Sequence, residues 1–384
     1  MKYVDEFRDP QKAHLWVEKI QQMQPQIGAT RQHPLPLMEF CGGHTHTIFR
    51  YGLEQILPDW IELIHGPGCP VCVLPRSRVD DAINIAERPE VIFTTFGDAM
   101  RVPGTAKSLL QAKADGADVR MVYSPLDALQ LARKHPERQV VFFALGFETT
   151  MPSTALTVIQ AKQNQIENFS LLCSHITTVP TLETILNDRD LPIAGFLAPG
   201  HVSMVVGEQP FEFVAQEHQR ALVITGFEPL DILQSIWMLL QQIANKTFSV
   251  ENQYKRVVNK NGNPAGLQAI AEVFQLQSQT ARDDDAGNNP AAVKMRSDYA
   301  SFDAEQKFQL AAGPVTNSNT LPQCQAVLRG ASKPWQCPDF GSQCTPEQPL
   351  GALMVSSEGA CAAYYQFGDL QELLQRRQQK ALQQ

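Results

Sequence analysis

The chain lacks any apolar run approaching the ~18 residues a membrane-spanning helix needs, so nothing in it reads as a transmembrane segment. It also lacks a basic block. Its 32 Lys and Arg stand against 40 Asp and Glu, for a net charge of -8. Nucleic acid is therefore a poor partner, because phosphate backbones are held by clustered cations. The opening stretch, MKYVDEFRDPQK, has no apolar core of the kind a secretory signal carries. The expectation is a cytoplasmic protein, in which eight cysteines serve as reduced thiols, metal ligands or redox pairs rather than as a disulfide framework. What is present is ordinary for a globular protein: 43% hydrophobic and 19% charged residues, in 384 positions that allow two or three domains with real cores.

Residues 9–24 read as a helix. Asp9 is the N-cap, Pro10 suits the first turn, and Ala13, Trp16, Ile20 and Met23 recur on one face. From about residue 60 short apolar runs alternate with helical segments: WIELI, VIFTTF, VRMVY, VVFFAL, FSLLC, IAGFLA and ALVIT. Uninterrupted apolar strands separated by helices indicate parallel sheets covered on both faces. A weak repeat is visible at an offset of 49 residues: VIFTTFGDAMRVPGTAKSLLQAK from 91 and VVFFALGFETTMPSTALTVIQAK from 140. It aligns Gly97 with Gly146, Pro103 with Pro152 and Thr105 with Thr154.

The expected fold class is thus α/β, with two related parallel-sheet α/β domains and a smaller cysteine-rich domain. The expected boundaries are 1–44 for the N-terminal helix and the Cys41 loop, 45–135 and 136–240 for the α/β domains, and 241–384 for the C-terminal domain. Residues 275–297 lack apolar periodicity and read as a loop. Asp369 and Glu372 mark the start of a final helix.

Ligands gather at the carboxyl ends of strands in open parallel sheets. Here those ends carry HGPGCPVC, GDAMRVPG, GFETT, SHITTVP, APGHVS and GFEP. One such turn means little, since small residues suit every turn of this kind; six point to a cleft lined by small polar groups, between the two domains. Cys69 and Cys72 lie after the strand IELI and before a helix expected over about 76–87. A helix N-terminus lowers a thiol pKa, so a C-x-x-C pair there suits disulfide chemistry or soft-metal ligation. Cys41-Gly42-Gly43-His44-Thr45-His46 offers a second thiol in a glycine turn that lets the backbone approach a ligand. Cys with His suits iron, zinc or copper, although His44 is as readily a hydrogen-bonded core histidine. Cys173 reads as a buried strand cysteine. Cys324, Cys337, Cys344 and Cys361 form C-x12-C-x6-C-x16-C, four thiols that suit either structural zinc or a [4Fe–4S] cluster. Glu358, in MVSSEGAC, stands near the fourth of them, or simply starts a helix.

Taken together, CGGHTH, HGPGCPVC, GFETT, APGHVS and CTPEQPLGALMVSSEGACAAYY resemble the HypD family, which matures [NiFe]-hydrogenases. The resemblance runs from about residue 35 to 368, with several motifs in the right order. It departs at RDDDAGNNPAAVKMRSDYASFDAE, where the family's usual Trp-Arg-Gly segment is missing. The resemblance implies a two-α/β-domain protein with a [4Fe–4S] domain. Such a protein works with the small chaperone HypC, and with HypE as cyanide carrier, to build an Fe(CN)2CO unit. It further implies that Cys41 holds that iron, that Cys69 and Cys72 are the redox pair, and that Cys324, Cys337, Cys344 and Cys361 hold the cluster. His44, close to Cys41 in sequence, is as readily a residue that orients groups or transfers protons as one that binds metal. Two other functions fit the residues: a thiol–disulfide oxidoreductase with an iron–sulfur relay, and a zinc-stapled protein-interaction module. Colour separates the module, since a [4Fe–4S] protein is brown; infrared bands of iron-bound cyanide and carbon monoxide separate the oxidoreductase.

Overall fold

The computed structural model describes residues 5–188, 191, 193–276, 291–310 and 322–381. Its strands are β1 (Leu35–Glu39), β2 (Ile61–His65), β3 (Val91–Thr95), β4 (Val119–Met121), β5 (Gln139–Gly146), β6 (Phe169–His175), β7 (Gly195–Pro199), β8 (Ala221–Thr225), β9 (Val250–Asn252), β10 (Phe274–Leu276) and β11 (Val293–Met295). All seven apolar runs read from the sequence are strands. β1 escaped that reading because His33-Pro34-Leu35-Pro36 looks like a turn, yet Pro36 sits in the middle of a sheet, opposite Glu62.

Two parallel sheets result. The first has the order β2-β1-β7-β8-β9 and the second β4-β3-β5-β6, every pairing parallel. Counted within its own sheet, each follows the order 2-1-3-4, the first adding a fifth strand. This is a doubly wound order, in which the chain reverses direction across the sheet beside its first strand. Helices cover both faces, so Phe93, Phe142, Phe143, Phe169 and Phe196 are fully buried.

The domain boundaries need correction. The second sheet is inserted between β2 and β7 of the first, so the units 45–135 and 136–240 do not exist as separate sheets. The two copies of the weak repeat are neighbours in one sheet, with Val91 opposite Gln139. Past the strands they diverge. Thr105 lies in a bend where its hydroxyl and N–H donate to Asp80, whereas Thr154 lies within the helix Met151–Gln163. Gly97 has φ -56° and Gly146 φ +144°. The likeness comes from two adjacent strands sharing one apolar pattern.

The N-terminal helix spans Pro10–Gln21, with the Asp9 carboxylate accepting the N–H groups of Gln11 and Lys12. Ala13, Trp16, Ile20 and Met23 pack on the first sheet's helix Pro229–Asn245 and its core. The stretch read as a loop over 275–297 instead places residues in β10 and β11, an antiparallel pair with Phe274 opposite Met295; positions 277–290 lie outside the described residues. The final helix, Leu370–Ala381, starts where expected, and Asp369 accepts the Glu372 N–H. The cysteine-rich end does not close a core of its own among the described residues. Leu353, Val355, Cys361 and Tyr364 belong to the same apolar cluster as Cys69, Val79 and Phe93. Among the described residues, no helix is long and apolar enough to cross a membrane.

Candidate functional site

The carboxyl ends of the two sheets face a common cleft of about 280 Å³. HGPGCPVC supplies Pro67, Gly68 and Pro70; GFETT supplies Phe147 and Thr149; SHITTVP supplies Thr178; APGHVS supplies Pro199, His201 and Val202. Four of the six small-residue turns thus meet, and Cys41, Gly43 and Glu358 complete the lining. Cys41 follows β1, and His201 follows the adjacent β7, so both stand where the first sheet reverses its winding.

Cys41 is the N-cap of the helix Gly42–Arg50. The glycines that follow are not a free turn. A Cβ on Gly42 would lie 2.5 Å from the Cβ of Glu358, and one on Gly43 2.8 Å from the Phe227 ring. Gly68 is tighter still, since its Cβ would fall 2.2 Å from the Cys41 nitrogen, and its carbonyl accepts the Gly42 N–H at 3.0 Å. These glycines therefore let protein approach protein, and Gly43 and Gly68 also line the cleft.

Beneath Cys41 lies Glu39, a fully buried carboxylate. It accepts the Cys41 N–H at 2.9 Å, the Thr45 hydroxyl, and Nδ1 of His65 at 2.7 Å. Burial pulls the His65 pKa down, but its bonds to Glu39 and Glu54 outweigh that and raise it. Both groups are buried and bonded to each other, and removing one member of such a buried pair costs roughly 3–5 kcal/mol. Burial pushes the Cys41 thiol far above the ordinary range; the charges of Glu39 and Glu358 add to this, against the opposing N–H groups of Gly43 and His44. A soft cation that takes this sulfur must displace a proton.

His44 is buried, and its Nε2 donates to the Thr225 carbonyl at 3.1 Å. A carbonyl only accepts, so that nitrogen carries the proton and Nδ1 keeps a lone pair. Nδ1 is buried without a hydrogen-bond partner. Burial lowers the pKa of His44, which keeps the ring neutral. The Phe227 ring is stacked between His44, at 4.8 Å, and His201, at 3.7 Å. His46 turns away from the cleft and meets Phe367 edge-on.

Cys69 and Cys72 form a disulfide within a turn of their own, Cα atoms 5.2 Å apart. The next helix, Arg76–Ala86, starts where the sequence places it, just after this turn. Through Gly68 the pair adjoins Cys41, and on its other side a Cβ on Gly359 would lie 3.1 Å from the Cys72 sulfur.

Gly359 leads into the helix Ala360–Phe367, which carries Cys361. Cys324, Cys337, Cys344 and Cys361 share one neighbourhood. Burial raises Cys324 to about 11, with the charges of Cys344 and Cys337 adding and Arg76 opposing. Burial likewise raises Cys361, and the other three thiols add to it. No three Cys, His, Asp or Glu side chains among the described residues stand close enough to hold a single metal ion. A cubane cluster, by contrast, takes each thiolate at a different iron. Cys173 lies in β6, partly buried, with its thiol toward the Val293 carbonyl.

Glu39, Thr45, His65 and Phe227 were missed as site residues. One signal was available: a carboxylate closing the strand LPLME, immediately before a cysteine, is out of place in an apolar run. Phe227 offered none.

A family model described as "HypD: Hydrogenase formation hypA family" matches residues 11–368. The chain is 53% identical over 371 residues to the hydrogenase maturation factor HypD of Rhodobacter capsulatus, covering 96% of this chain and 98% of that protein. It is 52% identical over 367 residues to the factor of the same name from Escherichia coli K12, covering 96% and 98%. To hydrogenase maturation factor HypD2 of Bradyrhizobium diazoefficiens it is 47% identical over 385 residues, covering 98% and 100%. Matched along nearly its whole length, the chain belongs to the HypD family of hydrogenase maturation factors.

Proposed function

We propose that this protein is the cytoplasmic scaffold and redox partner on which an Fe(CN)2CO unit is built, with HypC as chaperone and HypE as cyanide carrier. Cys41 is the iron-holding thiol, and Cys69 with Cys72 is the redox pair. One observation carries this reading: a single thiol opens on a cleft, and a disulfide lies directly behind it across Gly68. A soft sulfur suits low-spin ferrous iron with diatomic ligands. The cleft is small and lined mostly by apolar side chains such as Phe40, Phe147, Leu182 and Ile185, which fits an iron carrying diatomic groups better than a large organic substrate. His44, three residues after Cys41, keeps a buried Nδ1 lone pair outside the cleft lining, and its proposed part is to accept a proton or hold the Cys41 turn in place.

Cys324, Cys337, Cys344 and Cys361 are the residues that would hold a [4Fe–4S] cluster, and they fit it. Their thiols are mutually close, the Leu350 N–H lies 3.4 Å from the Cys344 sulfur, and Gly351 leaves room for the Cys324 sulfur where a Cβ would lie 2.5 Å away. When bound, such a cluster supplies one electron at a time. The Gly359 contact brings this segment to the Cys69–Cys72 pair.

The test is anaerobic purification with HypC, followed by infrared spectroscopy. Wild-type complex shows iron-bound cyanide and carbon monoxide bands, and Cys41→Ser loses them while keeping its iron and labile sulfide. Bands at full strength in Cys41→Ser would put the iron on another thiol.

A further inference from the structure

We propose that Arg76 is a positioning residue that sets the reduction potential of the group held by Cys324, Cys337, Cys344 and Cys361. This rests on the reading of those four as a [4Fe–4S] site. Arg76 is the first residue of the helix that follows the Cys69–Cys72 turn, so the α/β body places it, not the cysteine-rich segment. Its Nη2 donates to the Leu350 carbonyl at 2.7 Å. That carbonyl and the Gly351 N–H belong to one peptide group, and the Gly351 N–H donates to Cys344. The Leu350 N–H reaches the same sulfur at 3.4 Å.

A guanidinium on the carbonyl polarises the peptide and makes its N–H a stronger donor to sulfur. Gly351 also touches the neighbouring ligand, since a Cβ there would meet the Cys324 sulfur at 2.5 Å. One cation from the body therefore acts on two of the four sulfurs, through a polarised peptide and through its own charge. Asp339 opposes it from within the segment. Hydrogen bonds to the sulfurs and net charge nearby are the levers by which a protein moves such a potential. A positive charge favours the reduced, more negative state, so Arg76 raises the potential. Other cations near this segment hold other carbonyls: Arg101 that of Val355, Lys333 that of Leu63, and Arg377 those of Cys337, Pro338 and Phe340.

The experiment is a mediated redox titration of anaerobic full-length protein, read by electron paramagnetic resonance, with iron and labile sulfide measured on the same samples. Arg76→Gln keeps an amide donor and removes the charge. At a fixed potential its reduced-to-oxidised ratio falls about tenfold, the size expected of one charge across a partly screened distance; for a one-electron couple that is ~59 mV. Arg76→Lys keeps the charge and stays near the wild-type curve. Unshifted Arg76→Gln with full iron and sulfide overturns the proposal. So does loss of the cluster from both variants, which would make Arg76 a folding residue. Loss from Arg76→Gln alone, with Arg76→Lys intact, also overturns it, since the charge would then retain the cluster rather than set its potential. Wild-type protein without labile sulfide would remove the cluster reading itself, and the inference with it.

Discussion

The two sheets are wound alike, yet the buried acid and histidine at their carboxyl ends behave in opposite ways. In the first sheet Glu39 ends β1, His65 ends β2, and the two are hydrogen-bonded at 2.7 Å. In the second, Glu148 follows β5 and His175 ends β6, but they do not pair. Glu148 accepts the N–H and hydroxyl of Thr178, both at 2.7 Å, and His175 meets the Gly146 carbonyl at 3.3 Å. Burial then decides. His65 is raised by its carboxylate partners, whereas His175 is lowered to about 4 and Glu148 is raised, each chiefly by loss of water. At one end the acid and the histidine bond each other and the histidine is raised; at the other they are apart, and burial shifts each toward its neutral form. The bonded pair is the one beside Cys41 and the disulfide, where a cation would displace a proton.

The widest gap between the two ends concerns the thiols, which only the first sheet carries in its turns. Serine at Cys69 or Cys72 should abolish maturation while iron and sulfide stay at wild-type levels. Thiol counts of wild-type protein in reducing and oxidising buffers should differ by the two sulfurs of that bridge. Equal counts, with both variants fully active, would remove the redox role.

Next comes backbone contact. Gly68→Ala drives a Cβ to 2.2 Å from the Cys41 nitrogen, where backbone must move; a loss of roughly 3 kcal/mol in denaturant unfolding is expected. Gly97→Ala, after β3, meets only the flexible Met121 sulfur at 3.0 Å, and should cost under about 1 kcal/mol. Equal costs would mean that the turn at Gly68 is looser than its contacts indicate.

Charge removal should separate the ends almost as far. Glu39→Gln leaves His65 buried without its carboxylate and should cost about 3 kcal/mol. Glu148→Gln can still accept the Thr178 N–H and donate to its hydroxyl, so about 1 kcal/mol or less is expected. The same unfolding assay distinguishes them.

The pH dependence should have opposite signs. The pKa of His175 is about 4 when folded, below the unfolded value near 6.5. Its contribution is complete above that unfolded value and is lost as pH falls toward 4, about 2 kcal/mol of it by pH 5. His65 is raised, so its contribution is complete below about 6.5 and is lost as pH rises through the raised value. His175→Gln should therefore flatten the acid side of a stability profile, and His65→Gln the neutral-to-alkaline side. Matching slopes in the two variants would contradict the assignment.

The smallest effect belongs to Cys173, whose thiol is raised to about 12 by burial and meets only backbone groups, the Val293 carbonyl and the His175 N–H, as hydrogen-bond partners among the described residues. Cys173→Ala should cost about 1 kcal/mol or less and leave the infrared bands intact.

Local chemistry alone determined a good deal of this protein. Seven apolar runs specify strands because a parallel strand buried on both faces needs an unbroken apolar sequence. Asp9 with Pro10 specifies a helix start, since both residues act within one turn. The thiols, the strand-end turns and the family motifs were legible for the same reason: each is a short segment whose residue types carry the chemistry. Which strands share a sheet was not legible. The runs from 91 and 140 look like two domains, but pairing is settled by long-range contacts that no short window contains. The electrostatic state of the cleft was equally hidden. Glu39 meets His65 across 26 positions, His44 meets the Thr225 carbonyl across 181, and Arg76 meets the Leu350 carbonyl across 274. Only the tertiary structure brings these groups out of water together, and their charge states follow from that shared burial.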